Sequence, residues 1–313
     1  MSFNERKVAR LKKKGIQAVI ALFRAALLFL LAFVVLYPLL QRITMSFMST
    51  TDLHDMSVKY LPRNPTLLNF QEAWRRLDLS KTYLLTFEFV LLVSLTQMFV
   101  CAVVGYGLAR YPTRFNRIVT GVAILGLAVP PDLLLVPIYN HFRYFDLLGI
   151  FRLIGLTPQS LINTQWPMLI LALAGCGYRC GLYILLMRQN CRGIPRELDE
   201  AAYIDGAGSL QVFWHVILPN MRSMMVVVAL FSFVWLWLDT TYTPILMNDY
   251  PLLSTRLEWL TMINADSLVG TDLVSRNLVT SAGILFLIVP LLLLYLVTQR
   301  QFVQSVERSG LVG

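Results

Sequence analysis

The sequence predicts an all-α, polytopic membrane protein with six transmembrane helices and a two-helix loop on its cytoplasmic side. Composition, the length of the apolar runs and the placement of the charges all indicate this fold class. The 313 residues are 57% hydrophobic and 14% charged, whereas soluble domains are about 45–50% apolar and about 25% charged. A chain so poor in charge cannot cover a water-facing surface, which excludes a soluble enzyme, a disordered scaffold and a fibrous protein.

Six apolar runs are long enough to cross a membrane as helices, which takes about 20 residues each. They are longer than transmembrane β-strands and do not alternate between apolar and polar residues. Pro130 and Pro131 break the third run. We therefore expect a basic N-terminus over 1–16, one transmembrane domain over 17–299 and a tail over 300–313. The predicted spans are 15–46, 83–109, 117–139, 166–189, 222–246 and 277–299.

The placement of the basic residues predicts the orientation. The chain has 27 Lys and Arg against 18 Asp and Glu, a net charge of +9. With the N-terminus inside, most of these cations lie in the inside segments, as the positive-inside rule requires. We therefore expect both termini in the cytoplasm. We interpret the cluster at Lys12, Lys13 and Lys14 as an anchor to lipid headgroups, not as a nucleic-acid site. The inside segments are 1–16, 110–117, 188–222 and the tail from 299.

The inside loop over 190–222 carries signals for two short helices. Pro195 suits the first helical position, and the acids Glu197 and Asp199 suit a first helical turn. This helix is predicted to end at Gly206 and Gly208.

Ser209 is predicted to cap the second helix, which runs over 210–218 until Pro219 ends it. The loop is either a connection that lies flat on the membrane or a docking platform for a cytoplasmic partner. An apolar surface on the second helix favours docking; it is formed by Val212, Phe213, Val216 and Ile217.

The loop resembles the EAA loop of membrane permease subunits of binding-protein-dependent ABC importers. Glu200-Ala201-Ala202 is followed by Gly206 and, after nine more residues, by Val216-Ile217-Leu218-Pro219. Val216 stands where isoleucine is usual. Asp205-Gly206-Ala207 is similar to the carbohydrate branch, and the resemblance extends over most of the chain. Residues 150–160 look like an insertion, and Trp237-Leu238-Asp239 departs from the usual Trp-Asn-acid trio.

The resemblance implies partners and a mechanism. Two permease subunits, expected to be different chains, form the translocation path in the lipid of the bacterial inner membrane. The loop of each docks on one of two copies of a cytoplasmic ATPase, and an extracytoplasmic solute-binding protein delivers the solute. Glu200 would pair with a basic residue of the ATPase, and Gly206 would keep the turn sharp. The resemblance thus implies coupling residues at Glu200, Ala201, Ala202, Asp205, Gly206, Val216, Leu218 and Pro219.

No P-loop motif G-x-x-x-x-G-K-[ST] occurs in the chain, and this motif is the usual cradle for nucleotide phosphates. We therefore expect a transporter subunit that is not an enzyme and binds no cofactor. ATP and Mg would be used by the partner ATPase.

Ionisable residues inside predicted spans are candidates for the translocation path because burying a charge in lipid is costly. The pattern leaves two interpretations open for them, an ion pair between helices or contact with the solute. Nearby aromatic rings could stack on sugars or pack between helices. The candidate path residues are Glu88, Asp132, Arg179, Trp235, Trp237, Asp239 and Tyr242.

We predict a permease subunit of an ABC importer for a di- or oligosaccharide. The alternatives are a secondary transporter or channel that works alone and a membrane-embedded enzyme. Within the family the solute could instead be a polyol, a glycerol-phosphate or a uronic-acid sugar.

Overall fold

The computed structural model describes residues 3–310, apart from 56, 59, 112, 156 and 263–270. The described residues form helices, and the one β pairing among them is a bridge between Phe145 and Gln159. The side chains of 1–13, with the predicted anchor at Lys12 and Lys13, lie outside the described part. The helices are α1 (Phe3–Phe47), α2 (Thr50–His54), α3 (Leu68–Leu77), α4 (Leu79–Arg110), α5 (Arg114–Ala128), α6 (Pro131–Arg143), a 3₁₀ turn (Leu147–Gly149), α7 (Ile150–Leu153), α8 (Trp166–Leu173), α9 (Cys180–Arg192), α10 (Glu197–Ile204), α11 (Ser209–Val212), a π-helix (Phe213–Ile217), α12 (Leu218–Asn220), α13 (Arg222–Trp237), α14 (Thr243–Leu246), α15 (Leu253–Met262) and α16 (Thr271–Gly310).

The described helices confirm the all-α membrane fold. Three apolar segments, Lys14–Phe47, Leu79–Arg110 and Arg276–Gln299, are each long enough to cross a bilayer. Two bent helix pairs raise the number to five if each pair counts as one span. The count of six spans stays a prediction.

Prolines bend the third predicted span. Pro130 precedes α6 and Pro131 is its first residue, so α5 and α6 meet at 109°. Proline fixes its own φ and lacks an N–H, which suits a helix start and opposes continuation of the preceding helix. The predicted break is confirmed.

The fourth and fifth predicted spans are each interrupted, which the sequence pattern did not predict. The fourth is divided between α8 and α9, where Gly175 and Arg179 have φ of +69° and +59°. This left-handed conformation interrupts the helix. The fifth stops at Trp237 and resumes as the short α14.

The chain divides into two compact units, and the first contains residues 1–73 and 266–285. In this unit, the end of α1 is tied to α3. The Asn69 amide donates to the carbonyl oxygens of Ser46 at 3.0 Å and Met48 at 2.8 Å. Asp52 accepts the Asn64 backbone N–H at 2.8 Å.

The second unit contains residues 74–265 and 286–313, and its core lies where α4 packs on α9 and α13. Cys101 and Met187 are fully buried there, together with Ile217 of the π-helix and Met221. The inside loop is therefore part of this core and is not a free connection.

Gly105 sits at the crossing of α4 and α9, where a methyl group has no room. A Cβ there would lie 2.6 Å from the Met187 Cβ and 2.9 Å from the Arg188 backbone nitrogen. We expect Gly105→Ala to lower the thermal midpoint of the purified protein, because overpacking costs about 1–3 kcal/mol. The matched control is Gly107→Ala, since a Cβ at Gly107 meets nothing within 4 Å. Equal midpoints for the two variants would contradict the tight crossing.

Candidate functional site

The first helix of the inside loop ends in a glycine turn. After α10, Gly206 has φ of +84°, and its N–H donates to the Tyr203 carbonyl at 3.1 Å. The Ala207 N–H donates to the Ala202 carbonyl at 2.9 Å. These two bonds are those of a Schellman motif, in which the left-handed position favours glycine. The turn that the sequence predicts at Gly206 is confirmed. Pro195 lies outside α10, which begins at Glu197.

The second helix begins differently from the prediction. Gly208, not Ser209, is the residue before α11, and its N–H donates to the Gln211 side chain at 2.8 Å. The Ser209 hydroxyl interacts with Tyr111 instead, and this hydrogen bond lowers the pKa of the Tyr111 hydroxyl from its usual value. α11 continues into a π-helix, and Pro219 lies inside α12 and does not end the helical segment at 218.

The side chains of the predicted apolar docking surface point into the protein's own core, where a partner cannot contact them. Val212, Phe213 and Ile217 are buried in the core of the second unit, and Val216 packs against that core. The reason is that α4 and α9 offer an apolar surface that these side chains cover. The exposed apolar residues lie instead beside the turn, where Ile204 is 86% exposed and Leu210 76%.

One acid of the loop forms a buried ion pair. The Arg110 Nε lies 2.6 Å from the Asp199 Oδ2, and the side chains of Arg110 and Asp199 are 6% and 10% exposed. The Arg110 Nη2 donates to the Asp199 Oδ1 at 3.5 Å. Arg110 also donates to the Ile194 carbonyl at 3.1 Å. Asp199 is therefore buried and is not presented to a docking partner. It fastens α10 to the end of α4.

The other predicted coupling residues surround the turn. Glu200, Ala201, Asp205 and Gly206 are exposed. Ala202 and Leu218 are half-buried and Pro219 is exposed. A groove of about 390 Å³ runs between α10 and the second helix; its lining includes Ala202, Asp205, Gly206, His215 and Val216. Small residues and the Asp205 carboxylate thus line this groove.

The break in the fourth span carries a cluster of aromatic rings around Arg179. The Arg179 guanidinium lies 3.8 Å from the centre of the Trp235 ring and 5.2 Å from that of Tyr178. Tyr178 also contacts Tyr242, with ring centres 5.4 Å apart. Arg179 makes no ion pair with a described carboxylate. An arginine guanidinium over the face of a tryptophan ring is a favourable cation–π arrangement.

Two of the candidate path residues are structural. Asp239 is buried, and its carboxylate accepts backbone N–H groups from Thr241 at 3.1 Å and Thr243 at 2.7 Å. It therefore closes the turn between α13 and α14. Trp237 is buried and donates to the Leu287 carbonyl at 3.0 Å, so it packs between helices.

The remaining candidates differ in burial. Tyr242 is 6% exposed and Trp235 40%. Glu88 on α4 and Asp132 in the first turn of α6 are exposed. The structure thus brings Arg179, Trp235 and Tyr242 together around Tyr178 and leaves Glu88 outside this cluster.

Sequence reasoning missed Tyr178, Gln97 and Arg110. The Gln97 amide donates to the Tyr178 carbonyl at 3.0 Å and accepts from Ser232, which holds the break in place. Gly175 and Gly177 inside an apolar run were the available signal for the break, because glycine permits left-handed backbone. No sequence signal pairs Arg110 with Asp199, which lie far apart in the chain.

Comparison with known proteins gives a family match over most of the chain. The model of the family described as binding-protein-dependent transport system inner membrane component matches residues 102–308. This range contains the inside loop and the Arg179 cluster.

Individual proteins resemble the chain over nearly its whole length. The probable ABC transporter permease protein YurM of Bacillus subtilis is 26% identical over 287 residues, 91% of this chain and 87% of that protein. The diacetylchitobiose uptake system permease protein NgcG of Streptomyces coelicolor is 28% identical over 285 residues, 91% and 86% of the two chains. A chain in the crystal structure of a bacterial ABC transporter involved in the import of the acidic polysaccharide alginate superposes with a TM-score of 0.66 at 20% identity, over 90% of this chain and 96% of that one. This last likeness shows a shared fold.

Proposed function

Because this chain belongs to the family of binding-protein-dependent transport system inner membrane components, we propose that it is a permease subunit of an ATP-driven importer for a di- or oligosaccharide. It works with a second, different permease chain, two copies of a cytoplasmic ATPase and an extracytoplasmic solute-binding protein. Both of its termini lie in the cytoplasm, and ATP and Mg are used by the ATPase.

The Schellman turn at Gly206 is the observation that carries the coupling role. It presents Glu200 and Asp205 together with the exposed apolar side chains of Ile204 and Leu210. Large exposed apolar side chains with polar residues around them are typical of an interaction surface. The core contacts of Ile217 and the Arg110–Asp199 pair join this surface to the membrane helices. A movement of the ATPase would therefore be passed to α4 and α9.

The carbohydrate assignment rests on two supports. NgcG, similar over 91% of this chain, is by name a permease for diacetylchitobiose. The Trp235, Tyr178 and Tyr242 rings form an aromatic cluster beside Arg179, and such rings can stack on the apolar faces of sugars.

ATP-dependent uptake in proteoliposomes tests the function. The complete transporter is reconstituted with its binding protein and supplied with labelled di- and trisaccharides, a polyol, glycerol-phosphate and a uronic-acid sugar. We expect saturable uptake of a di- or oligosaccharide that requires ATP. Glu200→Lys should lower this uptake at least tenfold, since it places a cation where the ATPase presents one. Glu197→Lys, a charge reversal three residues away at another exposed position of α10, is the control and should keep uptake within about twofold.

Uptake driven by an ion gradient without the ATPase would contradict the proposal in favour of a secondary transporter. Transport restricted to a polyol, glycerol-phosphate or uronic acid would agree with the importer function but would overturn the oligosaccharide assignment. Equal uptake by Glu200→Lys and the wild type would overturn the docking role of Glu200.

A further inference from the structure

An arginine-lined cavity lies at those ends of three membrane helices that are predicted to face the cytoplasm. It has a volume of about 500 Å³ and is bounded by the end of α4, the first turns of α5 and the last turns of α9. Five arginines line it, and no carboxylate is among its lining residues. This arginine pocket is defined by Arg110, Arg117, Arg188, Arg192 and Arg196.

Among the described residues, one of these five cations has a partner of opposite charge. Arg110 is neutralised by Asp199, whereas the other four form no ion pair within the described part of the chain. The Arg188 Nε is buried and has no acceptor there. Like charges that converge on one cavity repel each other, and a buried N–H without an acceptor is costly. An anion in the cavity would reduce this repulsion and would accept a hydrogen bond from the Arg188 Nε–H.

The chemistry of the lining selects a phosphate group. Guanidinium groups offer planar forks of N–H donors that match phosphate oxygens, and several can bind one phosphate at the same time. Thr113 adds a hydroxyl group to the lining, whereas the Thr120 hydroxyl already donates to the Asn116 carbonyl at 2.7 Å. A single carboxylate has two oxygens and one charge, so it would satisfy this donor set less fully.

The position of the pocket favours a lipid as the source of the phosphate. α4 and α9 end at Arg110 and Arg192, where predicted spans 83–109 and 166–189 reach the inner headgroup layer. Basic pockets between membrane helices at this level suit anionic headgroups. We propose that the arginine pocket binds the phosphate of an anionic phospholipid headgroup.

Lipid binding to the full transporter complex tests the proposal. The complex is stripped of lipid in detergent and titrated with phosphatidylglycerol or phosphatidylcholine, and bound lipid is counted by native mass spectrometry. We expect the double variant Arg188→Gln/Arg192→Gln to weaken phosphatidylglycerol binding about tenfold or more, since it removes two of the guanidinium groups that line the pocket and would donate to the phosphate. The control Arg114→Gln, which removes an exposed arginine of α5 outside the pocket, should bind as the wild type does. Arg188→Lys/Arg192→Lys keeps the charges and loses the forks, so an intermediate affinity is expected.

Each of the following three outcomes would overturn the lipid assignment. If inorganic phosphate binds with the same arginine dependence and phosphatidylglycerol does not, the pocket is a site for a soluble phosphate. If the double variant binds lipid normally but no longer retains the ATPase, the arginines contact a protein. If both variants and the control lose lipid equally, binding is a general effect of surface charge. Lipid binding is measured without ATP or solute, so its failure leaves the proposed transport function intact.

Discussion

Asp199→Leu is expected to separate α10 from the end of α4 and to abolish transport. The Arg110–Asp199 pair is almost fully buried, with an Nε–Oδ2 distance of 2.6 Å. Removing one member of a buried pair costs about 3–5 kcal/mol, because the other charge stays buried without a partner. We expect the thermal midpoint of the purified complex to fall by about 5–10 °C and ATP-dependent uptake to be lost.

A double-mutant cycle separates the pairing from general damage to the loop. The double variant Arg110→Met/Asp199→Leu leaves no unpaired charge, so it should be more stable than either single variant. Glu197→Leu removes an exposed acid from the same first turn of α10 and should change stability by no more than about 0.5 kcal/mol. If the double variant is as unstable as the sum of both singles, the ion pair does not fasten α10.

The loop shows how much of the site the sequence could predict. The turn at Gly206 follows from local chemistry, because glycine at the end of an acidic helix is a helix stop that needs no tertiary information. The direction of the apolar side chains was predicted wrongly. Periodicity identifies an apolar face, but it does not say whether the partner of that face is the same chain or another protein. Here Phe213 and Ile217 pack on their own chain's core.

The membrane spans show a similar division between local and long-range information. Apolar runs identified the membrane class, and the proline pair identified the bend between α5 and α6. The break before α9 depends on Gln97, which lies on α4 and holds the Tyr178 carbonyl at 3.0 Å. Asp239 looked like a path residue because it is an acid in an apolar run. In the structure its carboxylate accepts three backbone N–H groups of a turn, and the apolar sequence around Asp239 gives no sign of this turn.

Gly206→Val is expected to prevent the ATPase from docking. The φ of +84° at Gly206 is a conformation that β-branched residues almost never adopt, and forcing it costs about 1–3 kcal/mol. Relief of this strain opens the turn and breaks the hydrogen bond between the Ala207 N–H and the Ala202 carbonyl. Glu200 and Asp205, which both precede the turn, then lose their fixed positions relative to the second helix. We expect the amount of ATPase that co-purifies with the chain to fall at least tenfold.

Gly208→Val is a matched control because it adds the same side chain two residues away in the same turn. Gly208 has φ of −74° and ψ of 164°, a region that valine favours, and a Cβ there makes only an ordinary contact with Gln211. This variant should retain the ATPase. Gly206→Asn should recover part of the binding, since asparagine tolerates the left-handed conformation better than valine does. If Gly206→Val retains the ATPase as fully as Gly208→Val, the turn is not the element through which ATP hydrolysis acts on the membrane helices.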